Sequence, residues 1–349
     1  MAPPEHGAVP AARGSAGTLA PPGASRAAAQ ASRRLARAHG PGGRRAAISR
    51  AEDFERHCDI ADVRATQLAP AAGAGRLESL PLPRGSILEL EVLPFDVMVE
   101  TRVDRPLLLV PLFGSDEAHI NGRALWRDGA YQMIGSGTGC LGWAAARTPL
   151  LGISVSAGAL ETVAAALDVP VRLPRAGELT GVADADGSLG RLAHEIGGDL
   201  MGGGTVPDVG ALEAELLETM ARACGDGRLH EAGWATSRAR SFSIVADAEA
   251  IAAEEGWRVV AVADVCGQIG VSETRLRRAF RDVFDCSPKR FFTGRALNAA
   301  RRVLRDAPAH STTVSDTAAS LGFWHYGRFA RDYKALFGEL PSATLRERG

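Results

Sequence analysis

Two stretches near the C-terminus repeat one another, and the repeat limits what this chain can build. Leu276, Phe280, Phe284 and Pro288 recur as Phe329, Tyr333, Phe337 and Pro341, each pair offset by 53 residues. In both copies the apolar residues fall every fourth position, the stripe of one helix face. A glycine precedes each stripe, Gly270 in the first copy and Gly322 in the second, and their offset of 52 leaves one extra residue between turn and stripe in the second. Ahead of Gly322, Ala318, Ala319 and Leu321 read as a short helix that a left-handed glycine would end. Val262, Val265 and Ile269 play that part ahead of Gly270. Two helices joined by a glycine-bearing turn, with arginines on the outer face of the second, is the pattern of a helix-turn-helix. Its repetition puts two such motifs on one chain.

The outer faces carry the chemistry. In the first copy Ser272 caps the second helix and Glu273 suits its N-terminus, while Thr274, Arg277, Arg278 and Arg281 point away from the stripe. In the second, His325, Arg328, Arg331 and Lys334 do so, with Trp324 as suited to packing as to contact. A helix fits the major groove, and arginine can pair bidentately with guanine O6 and N7. Between the copies, Pro288 opens a connecting helix at its first turn. Phe292, Ala296, Ala299, Val303 and Leu304 are placed toward its core and Arg295, Arg302 and Arg305 elsewhere.

The segments IGVSETRLRRAF and ALNAARRVL, and above all GF-x4-RFARDY-x3-FG-x2-PS, carry a resemblance. The stretch from about Ser237 to Leu345 resembles the DNA-binding domain of the AraC/XylS-type transcription regulators. Its GFWH…DY…LFGE…PS version is similar to the branch containing the ethanolamine-utilisation activator. The resemblance implies double-stranded DNA as a partner, with bases touched at Thr274, Arg277 and Arg278 in the first helix. In the second helix the reading positions fall on Tyr326, Gly327, Arg328 and Arg331, and Gly327 has no side chain to read with. It further implies a homodimer, contact with RNA polymerase, activation, and a small amine, alcohol or aromatic effector bound by the N-terminal half. No cofactor, metal, catalysis or membrane association is expected, and the location is cytoplasmic.

Charge is segregated along the chain. The formal net charge is −1 over 349 residues, yet residues 1–50 and 256–349 each sum to +7 and the middle to −15. A basic C-terminal domain behind an acidic middle suits a polyanion at one end. Cys58, Cys140, Cys224, Cys266 and Cys286 form no CxxC pair and read as reduced thiols. Two rival readings depend on them: a redox sensor using Cys58 or Cys140, and a repair-type enzyme fused to this DNA-binding domain. Neither a resolving pair nor a reactive cluster is evident.

Residues 1–50 are Ala, Pro, Gly, Ser and Arg with few large apolar side chains, a composition that predicts a disordered tail. Residues 51–233 form a β-rich effector-binding and dimerisation domain, and 237–349 the all-α DNA-binding domain, so the fold class is α+β. Ser86–Leu93 and Phe95–Arg102 alternate with period two, and Leu107–Phe113 is a continuous apolar run. Tyr131–Ile134 and Leu150–Val155 extend the set, and Asn121-Gly122 and Asp128-Gly129 are hairpin signals. Such strands make a sandwich or small barrel, and the family's sensor half is similar to a cupin jelly roll. His119 is the one histidine in these strands, so the cupin pattern of metal-binding His and Glu is missing and a metal-free pocket is expected. Trp126, Tyr131, Met133 and Trp143 are candidates to line it. Gly135–Gly139 fails the spacing of a nucleotide loop and reads as a turn. Helices follow from Ser156, near Leu189–Met201 and near Val209–Ala223. Leu212, Leu216 and Met220 stripe the last, for a partner subunit or for the chain's own sheet.

Overall fold

The computed structural model describes residues 43–112, 118–127, 129–202, 208–225, 236–308 and 311–347. Among the described residues, thirteen strands form two antiparallel sheets. The first is ordered β1 (Arg44–Ile48), β3 (Gly75–Pro81), β4 (Ile87–Val92), β12 (Pro149–Ser154), β6 (Leu107–Pro111), β10 (Ala130–Ile134) and β13 (Leu179–Ala183), with β9 (Trp126–Arg127) beside β10. The second is ordered β2 (Asp62–Gln67), β5 (Val97–Arg102), β11 (Gly139–Ala144), β7 (Ala118–Ile120) and β8 (Arg123–Ala124). The β7–β8 turn is Asn121-Gly122, both at positive φ (48° and 72°), as a two-residue hairpin of matching twist requires. Gly135–Thr138 is a hydrogen-bonded turn, with Gly137 at φ 72°. The N-terminal half is thus a β-sandwich followed by helices, and the C-terminal half is all-helical.

Arg44–Ile48 corrects the tail expectation. These residues pair with Ser79–Gly75 as an edge strand, and Ile48 is fully buried. The segment is too short and basic to announce itself; its partner strand supplies the order. The rest of the expected tail, 1–42, lies outside the described residues, as do Phe113 and Asp128.

Between the sheets lies a core that includes Phe54, Phe95, Leu107, Ile134 and Leu150. The outer face of the first sheet is covered by α2 (Ala157–Ala166), α3 (Ser188–Gly202) and α4 (Val209–Gly225), against which Leu88, Leu90, Met133 and Ile153 pack. Ser156 caps α2, accepting from the Ala159 amide. Leu216, Leu217 and Met220 of α4 are buried in that same layer, so the α4 stripe serves the chain's own sheet. Covering both faces of β4 changes the meaning of its alternation. Leu88 and Leu90 face the helices, and Glu89 and Glu91, at positions that period two would give to solvent, face the sandwich interior.

The C-terminal half comprises α5 (Thr236–Glu254), α6 (Val262–Ile269), α7 (Glu273–Phe284), α8 (Pro288–Asp306), α9 (Val314–Ser320), α10 (Tyr326–Phe337) and α11 (Pro341–Arg346). α8 serves two cores. Phe291 and Phe292 join Val265, Leu276, Phe280 and Phe284 in the first; Leu297 and Leu304 join Ala318, Phe329, Tyr333 and Leu336 in the second. Val303, expected toward the core, is 41% exposed.

The outer face of the second sheet, through Met98, Leu141 and Trp143, packs on the first helical core. The polar side of α8 completes this interface. Arg295, 4% exposed, bonds Thr66 Oγ1 at 2.6 Å, pairs with Glu100 at 2.7 Å and Glu249 at 2.9 Å, and stacks 3.6 Å over the Trp257 ring. The Asn298 amide accepts from Gln67 N–H at 3.1 Å and donates to Gln67 C=O at 2.9 Å, continuing the ladder at the open edge of β2. Arg301 pairs with Glu52 and Glu339, each at 2.6 Å, and Arg302 with Glu55 at 3.2 Å. Glu52 and Glu55 belong to α1 (Ala51–His57), just after β1.

Candidate nucleic-acid interface and interior cavity

Each helix-turn-helix is set by its glycine. Gly270 (φ 68°) follows α6, and the Val271 amide reaches back to Cys266 C=O at 3.2 Å. Gly322 (φ 80°) follows α9, and Phe323 N–H reaches Ala318 C=O at 2.9 Å. This is the same six-to-one closure twice, available at low strain only to glycine. It turns α7 and α10 so that one stripe is buried: Leu276, Phe280 and Phe284 on α7, Phe329 and Tyr333 on α10. Ser272 caps α7 by accepting from the Arg275 amide at 3.3 Å.

The opposite faces are exposed. Thr274, Arg277, Arg278 and Arg281 lie on the solvent side of α7, and His325, Arg328 and Arg331 on that of α10. Trp324 and Tyr326, 72% and 49% exposed, stand at the start of α10, and nothing comes within 4 Å of a Cβ placed on Gly327. Neighbouring carboxylates orient these arginines: Glu273 holds Arg277 at 2.6 Å, and Asp332 lies 3.4 Å from Arg328. Exposed pairs of this kind are worth little in water, so phosphate or base acceptors can replace them. Both faces therefore present forked donors beside a helix N-terminus, a surface suited to an anionic, acceptor-rich partner.

Residues 265–347, which span both faces, match the helix-turn-helix domain family. Over 77 residues the chain is 38% identical to the XylDLEGF operon transcriptional activator of Pseudomonas putida, covering 22% of this chain and 24% of that one. It is also 38% identical over 85 residues to the "Probable thc operon regulatory protein" of Rhodococcus erythropolis, 24% of this chain and 26% of the other. Residues 265–347 thus carry a helix-turn-helix domain similar to that of AraC/XylS-type regulators. The chain spans about a quarter of the length of these curated relatives. Among solved structures, a probable AraC family transcriptional regulator from Rhodopseudomonas palustris is similar at 34% identity, over 31% of this chain and 99% of that one, with a TM-score of 0.28. The AraC-like transcriptional activator CuxR is similar at 15% identity over 79% of this chain and 100% of that one, with a TM-score of 0.35.

A second candidate site lies between the sheets of the chain's N-terminal half. The cavity is walled by aliphatic side chains such as Val63, Val99 and Leu109, with Glu91, Thr101, His119, Trp143 and Thr148 as its polar and aromatic members. Of the four residues expected to line a pocket, only Trp143 borders this one, and its side chain packs outward with Met98 and Leu141 against the helical core. Tyr131 and Met133 lie on the other face of the first sheet, packed under the helices, and Trp126 is 44% exposed with its ring 6.4 Å from that of Tyr131. Both faces of β10 are buried, Ala130, Gln132 and Ile134 on one and Tyr131 and Met133 on the other, so its sequence does not tell the cavity side from the helix side. His119 is 6% exposed, with its ring 5.7 Å from Trp143.

Sequence reading also passed over a cluster at this cavity. Cys58 Sγ and carboxylate oxygens of Glu89 and Glu91 all lie within 4.8 Å of one another. Burial pushes the Glu91 carboxyl up to about 8, and raises Glu89 too, with the Glu91 charge adding to it. Burial, then the charges of Glu89 and Glu91, raise the Cys58 thiol. The 30 residues between Cys58 and Glu89 hide the cluster; the signal was two glutamates two apart on a strand that turns out to be covered on both sides.

Proposed function

We propose that the protein is a sequence-specific DNA-binding transcription regulator, an activator that responds to a small organic effector. The observation that carries this reading is the pair of exposed faces, Thr274/Arg277/Arg278/Arg281 on α7 and His325/Arg328/Arg331 on α10, each following a left-handed glycine turn. Two helices set in this way enter successive major grooves, about 34 Å apart along one face of B-DNA. The effector binds the cavity between the sheets, whose apolar walls and few polar groups suit a small, largely apolar molecule. Action as a homodimer in the cytoplasm, with contact to RNA polymerase, completes the proposal by analogy with the family. Among the described residues no helix is long and apolar enough to cross a membrane.

The protein acts by binding rather than by covalent chemistry. Burial raises the thiols of Cys58 and Cys140, the latter to about 12, so neither is poised as a thiolate nucleophile or a fast redox sensor. Selection from a randomised duplex pool with the full-length protein should enrich a motif of two boxes about one helical turn apart. Enrichment of no motif would contradict sequence-specific binding. A thermal-shift screen of small amines, alcohols and aromatic acids should find a stabilising ligand whose effect is lost when Leu109→Trp fills the cavity.

A further inference from the structure

We propose that Cys58, Glu89 and Glu91 form a binding site for a single divalent metal ion of the zinc class at the edge of the interior cavity. The argument begins with the place of the two carboxylates. Glu89 is fully buried and Glu91 is 8% exposed, both on the interior face of β4, where neighbouring strands present Leu107, Leu109 and Leu150. Among the described residues neither has an ion pair. Glu89 Oε2 accepts from the Asp59 amide at 2.7 Å, the Cys58 thiol hydrogen-bonds Glu89, and the Asp59 carboxylate, itself paired with Arg44, lies nearby. Acidic groups gathered in an apolar interior need either protons or a cation.

The third member decides which cation. A thiol within 4.8 Å of both carboxylates adds a soft donor to two hard ones, a mixture that suits zinc and its neighbours better than magnesium or calcium. Two other observations point to an occupant. Glu89 Oε1 is buried without a hydrogen-bond partner, and Thr148 Oγ1, on a residue 5% exposed that lines the cavity, also has none. Three protein donors leave the fourth position of a tetrahedral ion for a cavity water or a ligand oxygen or nitrogen. On binding, the Cys58 thiol proton and any carboxyl protons leave for solvent, so uptake strengthens with rising pH. The metal-free expectation looked for a histidine cluster, and this donor set contains none.

Cobalt(II) titrated into chelator-treated full-length protein provides the test. One equivalent per chain should bind, with the near-ultraviolet absorption of a thiolate–cobalt bond. The band should vanish in Cys58→Ser and persist in Cys140→Ser, whose thiol is outside the cluster. Zinc affinity, read by competition with a chromophoric chelator, should fall at least about tenfold in Glu89→Gln and in Glu91→Gln. Glu91→Gln removes a buried charge without changing shape, so it is the variant to rely on if Cys58→Ser melts early. Absence of the band in the parent protein, or unchanged zinc affinity in Glu91→Gln, overturns the proposal and leaves the pair holding protons only. DNA binding of the same variants is scored separately, so failure of the metal site does not touch the reading of α7 and α10.

Discussion

Phe329 and Arg331 stand two residues apart on α10 and face opposite ways, the first 1% exposed and the second with its side chain 75% exposed. Phe329 touches Phe323 and Tyr333, with ring centroids at 4.9 and 5.7 Å. Truncating such a side chain costs about 3–5 kcal/mol, so Phe329→Ala should lower the melting temperature and abolish DNA binding together. Arg331→Ala should change stability by no more than about 0.5 kcal/mol and weaken DNA binding alone. Identical melting curves for the two variants would refute the two-faced helix. These residues were legible in sequence because a four-residue period with a glycine ahead of it has few other solutions. The cavity was not legible at this scale. Met133 and Leu109 are both large apolar residues on strands, and only the layering puts the first under the helices and the second on the cavity.

α8 shows where element-level reading stopped. Its apolar residues and its Pro288 start were plain, but its arginines were left without partners. The structure gives them partners in the acidic N-terminal half, and that packing buries nearly the whole circumference of its central turns. Asn298→Ala would leave the Gln67 amide and carbonyl unpaired and buried at the β2 edge, a loss of about 1–3 kcal/mol. Denaturant melts of the full chain measure it; a loss within error would mean that water replaces the amide. Arg302, likewise, should act on stability through Glu55 and Ala65 C=O rather than on DNA affinity. Glu249 adds a pH dependence. Burial raises its carboxyl to about 7, against the pull of Arg295. A raised carboxyl means the folded state holds a proton that the unfolded chain releases. Its contribution is therefore complete below about pH 4.5 and lost as pH rises to about 7. The fall in melting temperature across that window should be shallower in Glu249→Gln, and equal slopes would show that Glu249 titrates normally.

For the whole molecule, charge segregation read from sequence overstated what faces a polyanion. Arg295, Arg301, Arg302 and Arg305 count toward the +7 of the C-terminal region, yet all four are paired with carboxylates of the N-terminal half of the same chain. The charge left for DNA lies mainly on α7 and α10. Binding of the full chain should fall with salt at a slope near −0.9 per phosphate contacted. Arg302→Ala should leave that slope unchanged, whereas Arg281→Ala should reduce it by about one contact. The central claim is that α7 and α10 each read their own part of a two-part site, and selection from randomised duplexes with the full-length protein and its Arg277→Ala and Arg331→Ala variants tests it most directly. The account predicts that each variant relaxes base preference in one box only, a different box for each, at a cost of roughly 1–3 kcal/mol. A parent motif recovered unchanged from both variants would contradict it.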